Sequence, residues 1–495
     1  MTAWTIGWIA LPFFVGFSLY LLPQVNGLLK SVLDPRVLAL SVPLISAAYA
    51  VSLFWQPVPL NLQLLDHFGV TLLADTLSAY FILTNALVTA AVILYCWDTG
   101  KTAFFYTQAV ILHGSINAIF ICADFISVYV ALEVIGIAAF LLVAYPRSNR
   151  TLWVALRYLF VSNTAMLFYL MGAVLVYQTH ESFAFTGLRG APPEAVALIL
   201  VGLLTKGGIF MSGLWLPLTH SEAESPVSAL LSGVVAKAGV FPLVRCALLV
   251  EELEPLMQLL GVAAALLGVT YALVETDAKR VLACSTLSQV GWVLAVPEVA
   301  GFYALAHGVG KASLFLTVGN LSSRNLTVLQ QQPISTHLWL PLTLASLSIS
   351  GCPGLVGFGA KISTLQQALP WQNIALNVAA TGTAALYAKF IFLPHQRPQT
   401  QGGWIAAAQP GLWAALALLL GSLLIANAGY PGAYTWLNSL KVLAIIGGGW
   451  LIHWLLIQRV TLTLPRGLEA FEHLIGGMSL MLIALFWMVW SWLAI

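Results

Sequence analysis

Long apolar runs separated by short polar turns recur along the whole chain. A helix needs roughly 20 mostly apolar residues to cross a bilayer at 1.5 Å per residue. The runs are continuous rather than alternating, so closed membrane strands are not expected. They predict about sixteen spans, near 4–22, 37–54, 77–97, 106–122, 124–145, 152–178, 195–218, 226–250, 256–274, 281–297, 300–322, 338–368, 371–393, 406–427, 436–458 and 474–494. Residues 4–22 are too long, and lack the basic flank, for a cleavable signal, so they are read as the first span. The expected fold is an all-α polytopic membrane protein with about 14–16 transmembrane helices.

The basic residues test this count. Numbered from the N-terminus, the odd loops carry Lys30, Arg36, Lys101, Arg147, Arg150, Lys279, Arg280, Arg324, Arg397, Arg459 and Arg466, and the even loops carry only Arg189. One span too many or too few would scramble that bias. The positive-inside rule then places odd loops in the cytoplasm and both termini on the opposite side. Charged types make up only 8% of the chain, far below a soluble domain's usual quarter. A net charge of +2 with no basic, aromatic-interleaved patch gives no reason to expect nucleic acid. The five scattered cysteines, without any CxxC, argue against iron–sulfur, structural zinc or a disulfide framework.

Against this apolar background a few charges lie inside spans, where each costs at least about 2.5–3.5 kcal/mol. Glu133 sits about nine residues into its helix, roughly 13 Å from the start. It is either a neutral, hydrogen-bonded acid or a functional carboxylate. Lys206 lies mid-span in GLLTKGGIFMSGLWLPLTH, where glycines and Pro217 weaken the helix. Irregular backbone at membrane depth is tolerated only where it is buried or lines a cavity. Lys237 is mid-helix in SPVSALLSGVVAKAGVFPLVR, and His220 precedes it in a cytoplasmic connection, as a possible point of proton uptake or a helix cap. His307 and Lys311 share one helical face at i, i+4. Histidine titrates near neutral pH and can pass a proton either way. Lys361 follows SISGCPGLVGFGAK, a second glycine-rich span with Pro353 at its centre, and Lys389 comes 28 residues later. His113 and Asp75 are weaker candidates; Arg157 and Arg245 read as snorkelling from span ends, Lys441 as interfacial, and Trp487, Trp490 and Trp492 as interface anchors.

A broken helix with a lysine, followed by a second helix with a lysine, therefore occurs twice. The two broken spans are the seventh and twelfth, and an offset of five gives them opposite orientation, as in two inverted five-helix repeats. The expected division is 1–105 N-terminal helices, 106–250 first repeat, 256–393 second repeat and 394–495 C-terminal helices. No GxGxxG, Walker sequence, haem pair or metal-ligand cluster stands out, so no cofactor or metal is expected.

From about Asp75 to Lys389 these residues resemble the antiporter-like family shared by complex I and Mrp cation/proton antiporters. DFISVYVALEVIGIAAFLLVAY resembles its fifth helix, with Glu133 as the key glutamate. The block from Lys206 through HSEAESPVSALLSGVVAKAGVFPLVR resembles its seventh and eighth helices, ETDAKRVLACSTLSQVGW its ninth-to-tenth connection, HGVGKASLFLTVGNL its eleventh helix and SISGCPGLVGFGAK its broken twelfth. Lysine at position 361 resembles the Mrp D type and some complex I relatives. The chain departs from the family in having Gly207-Gly208 where a proline is usual after the lysine, and Leu218-Thr219 where an aspartate usually precedes His220.

The resemblance implies a proton-translocating axis through Glu133, Lys206, Lys237, His307, Lys311, Lys361 and Lys389. It implies other membrane subunits as partners, protons and sodium or another cation as cargo, and a bacterial plasma membrane or related energy-transducing membrane as the setting. The rival within the family is a proton-pumping subunit of a complex I-like oxidoreductase. A rival of another class is a membrane enzyme acting on a lipid, which would place clustered polar residues in surface loops; the outer loops here are short and poor in them.

Overall fold

A computed structural model describes residues 2–21, 34–65, 69–397, 410–459 and 466–493. Lys30, the start of the 406–427 span and the side chain of Trp492 lie outside the described residues. The chain folds into α1 (Thr2–Leu21), α2 (Pro35–Phe54), a hairpin of β1 (Leu60–Leu65) and β2 (Gly69–Ala74), α3 (Thr76–Tyr95), α4 (Ala103–Ile119), α5 (Phe125–Val143) and α6 (Asn149–His180). There follow α7 (Pro193–Gly207), the short α8 (Leu216–Glu222), α9 (Ser225–Leu249), α10 (Glu254–Val274), α11 (Ala278–Ala295) and α12 (Ala300–Val318). The last third comprises α13 (Thr336–Ser350), α14 (Val356–Gln367), α15 (Pro370–Ile391), α16 (Pro410–Ile425), α17 (Trp436–Ile452) and α18 (Phe471–Leu493).

Thirteen of these segments are long and apolar enough to cross a membrane unaided, so the chain is an integral membrane protein. The other three expected spans are the 17-residue α4, the polar α11 with Lys279 and Arg280 in its first turn, and the interrupted α13–α14 pair. Polar caps set where helices begin. Asp75, Asp124 and Asp277 each accept a backbone N–H from the first turn of α3, α5 and α11, satisfying donors the helix cannot. The antiparallel hairpin was not foreseen: it lies in the loop between the second and third spans, outside any apolar run.

The odd loops meet on one face. Lys101 pairs with Glu224 at 2.7 Å and Arg150 with Glu222 at 3.4 Å. Lys279 donates to the Ala223 carbonyl at 2.7 Å, and Arg324 bridges Asp277 and the Ser221 carbonyl. The even loops meet on the other face, where β2 hydrogen-bonds the α4–α5 connection and Arg189 donates to the Leu249 carbonyl. The charge bias of the sequence is thus a physical layer of ion pairs.

Two breaks interrupt the bundle with the same backbone device. Gly208 (φ +67°) ends α7 in the left-handed region; its N–H reaches the Thr205 carbonyl, and the Ile209 N–H reaches that of Leu204. Gly351 (φ +92°) ends α13 identically, using the carbonyls of Ser348 and Leu347. This is a Schellman close, and glycine makes it without the strain a Cβ would add. The prolines do not make the breaks. Pro217 sits in the first turn of α8, where its missing N–H is harmless, and Pro353 lies in the unwound link after Gly351. Glycine thus makes the break at the place where the resemblance implies a proline. From the loops that flank them, α7 runs from the even face to the odd face and α13 the opposite way.

Candidate functional site

The buried lysines line a layer that crosses the bundle between the two breaks. Lys206 is the penultimate residue of α7, and its ammonium donates to Ser162 of α6. A Cβ on Gly136 of α5 would stand 3.1 Å from that nitrogen, so the ammonium lies in a notch that a larger residue would crowd. Glu133 is one turn before Gly136, near the middle of α5 and half-buried between the exposed Val130 and Ile137. Its carboxylate forms no ion pair or hydrogen bond with any described residue. A cavity with room for about one water opens beside Lys206, lined by Tyr158, Ser162, Thr205 and Trp215.

Backbone contact links this lysine to the next. A Cβ on Gly239 of α9 would collide with the Gly207 nitrogen, so α7 and α9 touch main chain to main chain two residues from Lys237. Residues Leu231–Val235 form a π turn within α9. Such a turn widens the helix and redirects its carbonyls, and Lys237 donates to those of Gly233 at 2.5 Å and Ser232 at 3.4 Å. A Cβ on Gly308 of α12 would lie 3.3 Å from the Lys237 nitrogen. The next residue toward the N-terminus is His307.

His307 is fully enclosed, and neither ring nitrogen has a partner among the described residues. Unpaired buried polar atoms are uncommon and costly. Its ring faces a second cavity, again sized for about one water, that it shares with Gln289, Tyr303, Ser348 and Lys361. Lys361 itself donates to the Ser350 carbonyl at 3.3 Å and lies 5.3 Å from the centre of the Trp292 ring. The indole N–H of Trp292 and the hydroxyls of Ser346 and Ser348 are unpartnered as well.

Lys311, one turn after His307, donates to the Leu282 carbonyl at 2.8 Å and faces the Tyr387 ring. One further turn brings Phe315, on which His220 stacks with ring centres 5.1 Å apart. Both nitrogens of His220 are buried and unpartnered. A branch of titratable groups thus leads from Lys311 toward the odd face, where Arg324 binds Ser221.

Lys389 stands apart. Its ammonium donates to the carbonyls of Ala272, Leu273 and Glu275, capping the end of α10 with all three of its hydrogens. It occupies the odd-face end of α15, whereas Lys237 lies inside α9, so the two are not equivalent positions.

Several weaker candidates resolve differently from their sequence readings. Arg245 does not snorkel: it is buried and holds Asp75 through two bonds of 2.5 and 2.7 Å, with Ser78 as a third partner. Arg157 is buried too, donating to the Glu469 carbonyl. His113 is bound by Ser46, Thr89 and Asn117 in a satisfied core network. Lys441 is exposed, as an interfacial residue would be. The sequence reading missed Ser162, Gln289, Trp292, Tyr303 and Ser348. The signal for them was slight: single hydroxyls and amides within apolar runs.

Known proteins match at this same layer. Residues 122–386 match the profile of the family described as NADH:quinone oxidoreductase/Mrp antiporter, TM. The chain is similar to NADH-quinone oxidoreductase subunit N of Desulforudis audaxviator, 28% identical over 64% of this chain and 71% of that one. It is also similar to the D-type Na(+)/H(+) antiporter subunit of Alkalihalophilus pseudofirmus, 24% identical over 77% of this chain and 84% of that one. A chain of the solved Mrp complex from Dietzia sp. superposes with a TM-score of 0.73 at 20% identity, covering 92% of this chain and 99% of that chain. At that identity the superposition establishes a shared fold.

Proposed function

Since the chain belongs to the NADH:quinone oxidoreductase/Mrp antiporter membrane family, we propose that it is a proton- and cation-translocating subunit of a multisubunit Mrp-type antiporter. It moves protons along Glu133, Lys206, Lys237, His307, Lys311 and Lys361. The observation that carries this reading is the cavity shared by His307 and Lys361. An unpartnered imidazole and a lysine face each other across space for one water, at the second of two opposed broken helices. A proton taken by His307 from the Lys237 side can pass through that water to the Lys361 amine. Each lysine in the series keeps only one or two acceptors. An ammonium with spare donors can rotate and release a proton, unlike Lys389 with its three bonds. Lys389 serves as the odd-face anchor of the series, and His220 with Lys311 as the route of uptake from that face. By the positive-inside rule that face is cytoplasmic and both termini are outside.

The coupled partner cation moves at least partly in neighbouring membrane subunits. The second reading, a proton-pumping subunit of a complex I-like oxidoreductase, is favoured by the similarity to subunit N. It uses the same axis driven by redox energy from other chains. The test of the axis is proton flux in the assembled complex with Lys206→Ala and Lys361→Ala. Loss of coupled flux by more than about tenfold is expected for each, equivalent to at least about 1.4 kcal/mol of barrier. Unchanged coupled transport in both variants would sink the mechanism. A cation gradient driving flux without a redox partner supports the antiporter; flux that needs electron transfer supports the second reading.

A further inference from the structure

The last helix, α18, lies outside the 122–386 stretch that matches the family, yet it packs against the Lys206 half of the bundle. Its neighbours are α7, the start of α6 and the short turn Phe210–Gly213 that follows the first break. The buried residues Leu474, Met478, Met481, Leu485 and Val489 form one stripe at helical spacing. The opposite side, with Leu480, Ile483 and Trp487, is exposed. Irregular backbone cannot face lipid. The stripe therefore covers what α7 leaves unwound.

α18 is held at the odd face by a cluster that reaches both halves. Arg280 of α11 donates to the carboxylate of Glu469, and Arg157 of α6 donates to the main-chain carbonyl of the same residue. Arg280 also grips Glu275 at 2.8 Å, and Arg466 approaches Glu275 at 3.6 Å. Phe471 meets Phe160 edge-on at the start of the helix. Glu469 is buried although it stands at the end of a span. A carboxylate there has little reason to be buried other than its arginine partners.

We propose that α18 is the seal over the first broken helix and that Glu469 is its latch, a positioning residue for the Lys206 site. When the latch holds, lipid and stray water are excluded from the Gly208 break and Lys206 stays in its notch between Gly136 and Ser162. When it opens, the break is exposed and proton movement at Lys206 is no longer confined to the axis. The second break is covered separately: the Gly354 N–H donates to Tyr434 at 2.9 Å, and Phe358 packs on the same ring. The latch therefore acts on one half only. The effect on transport rests on the proposed function; the sealing itself does not.

The test is Glu469→Ala in the assembled complex in lipid nanodiscs, read by hydrogen exchange at residues 207–214 and, as an internal control, at 351–357. Exchange at 207–214 should accelerate about tenfold or more, with the second break unchanged and passive proton leak raised in proteoliposomes. Glu469→Asp should recover most of the protection. Unchanged protection at 207–214, or equal acceleration at both breaks, overturns the proposal. If Glu469→Ala fails to assemble, Met481→Ala opens the same stripe and must give the same one-sided pattern. If Lys206→Ala and Lys361→Ala both leave coupled flux intact while the exchange pattern holds, the seal stands and the functional reading falls.

Discussion

The two broken helices close with the same pair of backbone hydrogen bonds but hold their lysines in different company. At the first break Lys206 precedes Gly208 by two residues, donates to Ser162 and approaches Gly136, one turn along α5 from the acid Glu133. At the second, Lys361 follows Gly351 by ten residues, on the resumed helix. Its surroundings are a carbonyl, an indole face and an unpartnered histidine, with no carboxylate among the cavity's lining residues. Neither cavity is lined by a carboxylate; the acid nearest the first site is Glu133, one turn along α5 from Gly136, whereas the second has a histidine in its lining. The fold repeats the break and varies the chemistry around it.

Substitutions that remove the charges should separate the sites most strongly. Lys361→Gln leaves the second cavity with no protonatable amine, and coupled flux should fall more than tenfold. Glu133→Gln removes only a neighbour of Lys206, and flux should fall about threefold to tenfold, about 0.7–1.4 kcal/mol. Flux assays on both variants in one membrane preparation check this ranking. Equal losses would mean that the two lysine sites are electrostatically alike despite their different neighbours.

A smaller and more selective effect is expected at the two glycines. Alanine at either position costs about 1–2 kcal/mol for a left-handed residue. At Gly208 the added Cβ would meet Leu216 at 2.6 Å, a side chain with no part in the axis. At Gly351 it would meet the Cδ atom of Lys361 at 2.9 Å. Both variants should melt several degrees lower, but only Gly351→Ala should also lose transport in proportion well beyond its stability. Equal transport from the two would show that the position of Lys361 within its cavity does not matter.

Why these sites were only half visible in the sequence follows from the same residues. Spans, their number and the sidedness of the loops follow from apolar length and the placement of arginine and lysine, which are local properties. Lys206, Lys237, His307 and Lys361 stood out because charge in an apolar run is expensive wherever it points. What they face depends on helix crossings set by Gly136, Gly239 and Gly308, and a glycine in a membrane helix does not announce which neighbour approaches it. Lys389 carried the same sequence signal as Lys361, yet three carbonyls from the end of α10 make it a cap. Arg245 looked like a snorkelling end residue because its partner, Asp75, is 170 positions away in the chain. The hairpin has a short alternation, Leu60-Asn61-Leu62-Gln63-Leu64, that a search for long apolar runs passes over, and the latch stands outside any apolar run.

The Trp292 ring can be altered at the second site without touching its charges, at the cost of a cavity in the core. Trp292→Leu keeps the volume apolar but removes the cation–π surface, worth about 0.5–2 kcal/mol when desolvated. Flux should fall a few-fold, and Trp292→Phe should recover part of it. The same change has no counterpart at Lys206, where the contact is a hydroxyl. Full activity in Trp292→Leu would make the Ser350 carbonyl and the cavity water sufficient for Lys361.

The smallest expected effect is acid sensitivity confined to the first half. Burial alone would raise the Glu275 carboxyl, but its bonds to Arg280 and to the Thr276 and Asp277 N–H groups outweigh that and hold it below its usual value. A carboxyl depressed in the folded state contributes stability that is present above its unfolded pKa, near about 4.3, and is lost as pH falls through the lowered folded value. The Glu275–Arg280 pair should therefore be intact at neutral pH and loosen only below about pH 4. Because that pair is part of the cluster that fastens α18 and not the second break, acid should first speed hydrogen exchange at 207–214 and spare 351–357. Glu275→Gln should flatten this pH dependence while lowering protection slightly at neutral pH. Simultaneous loosening of both breaks on acidification would show that the odd-face ion pairs hold the two halves as one unit, and the contrast between the breaks would then lie in their lysines alone.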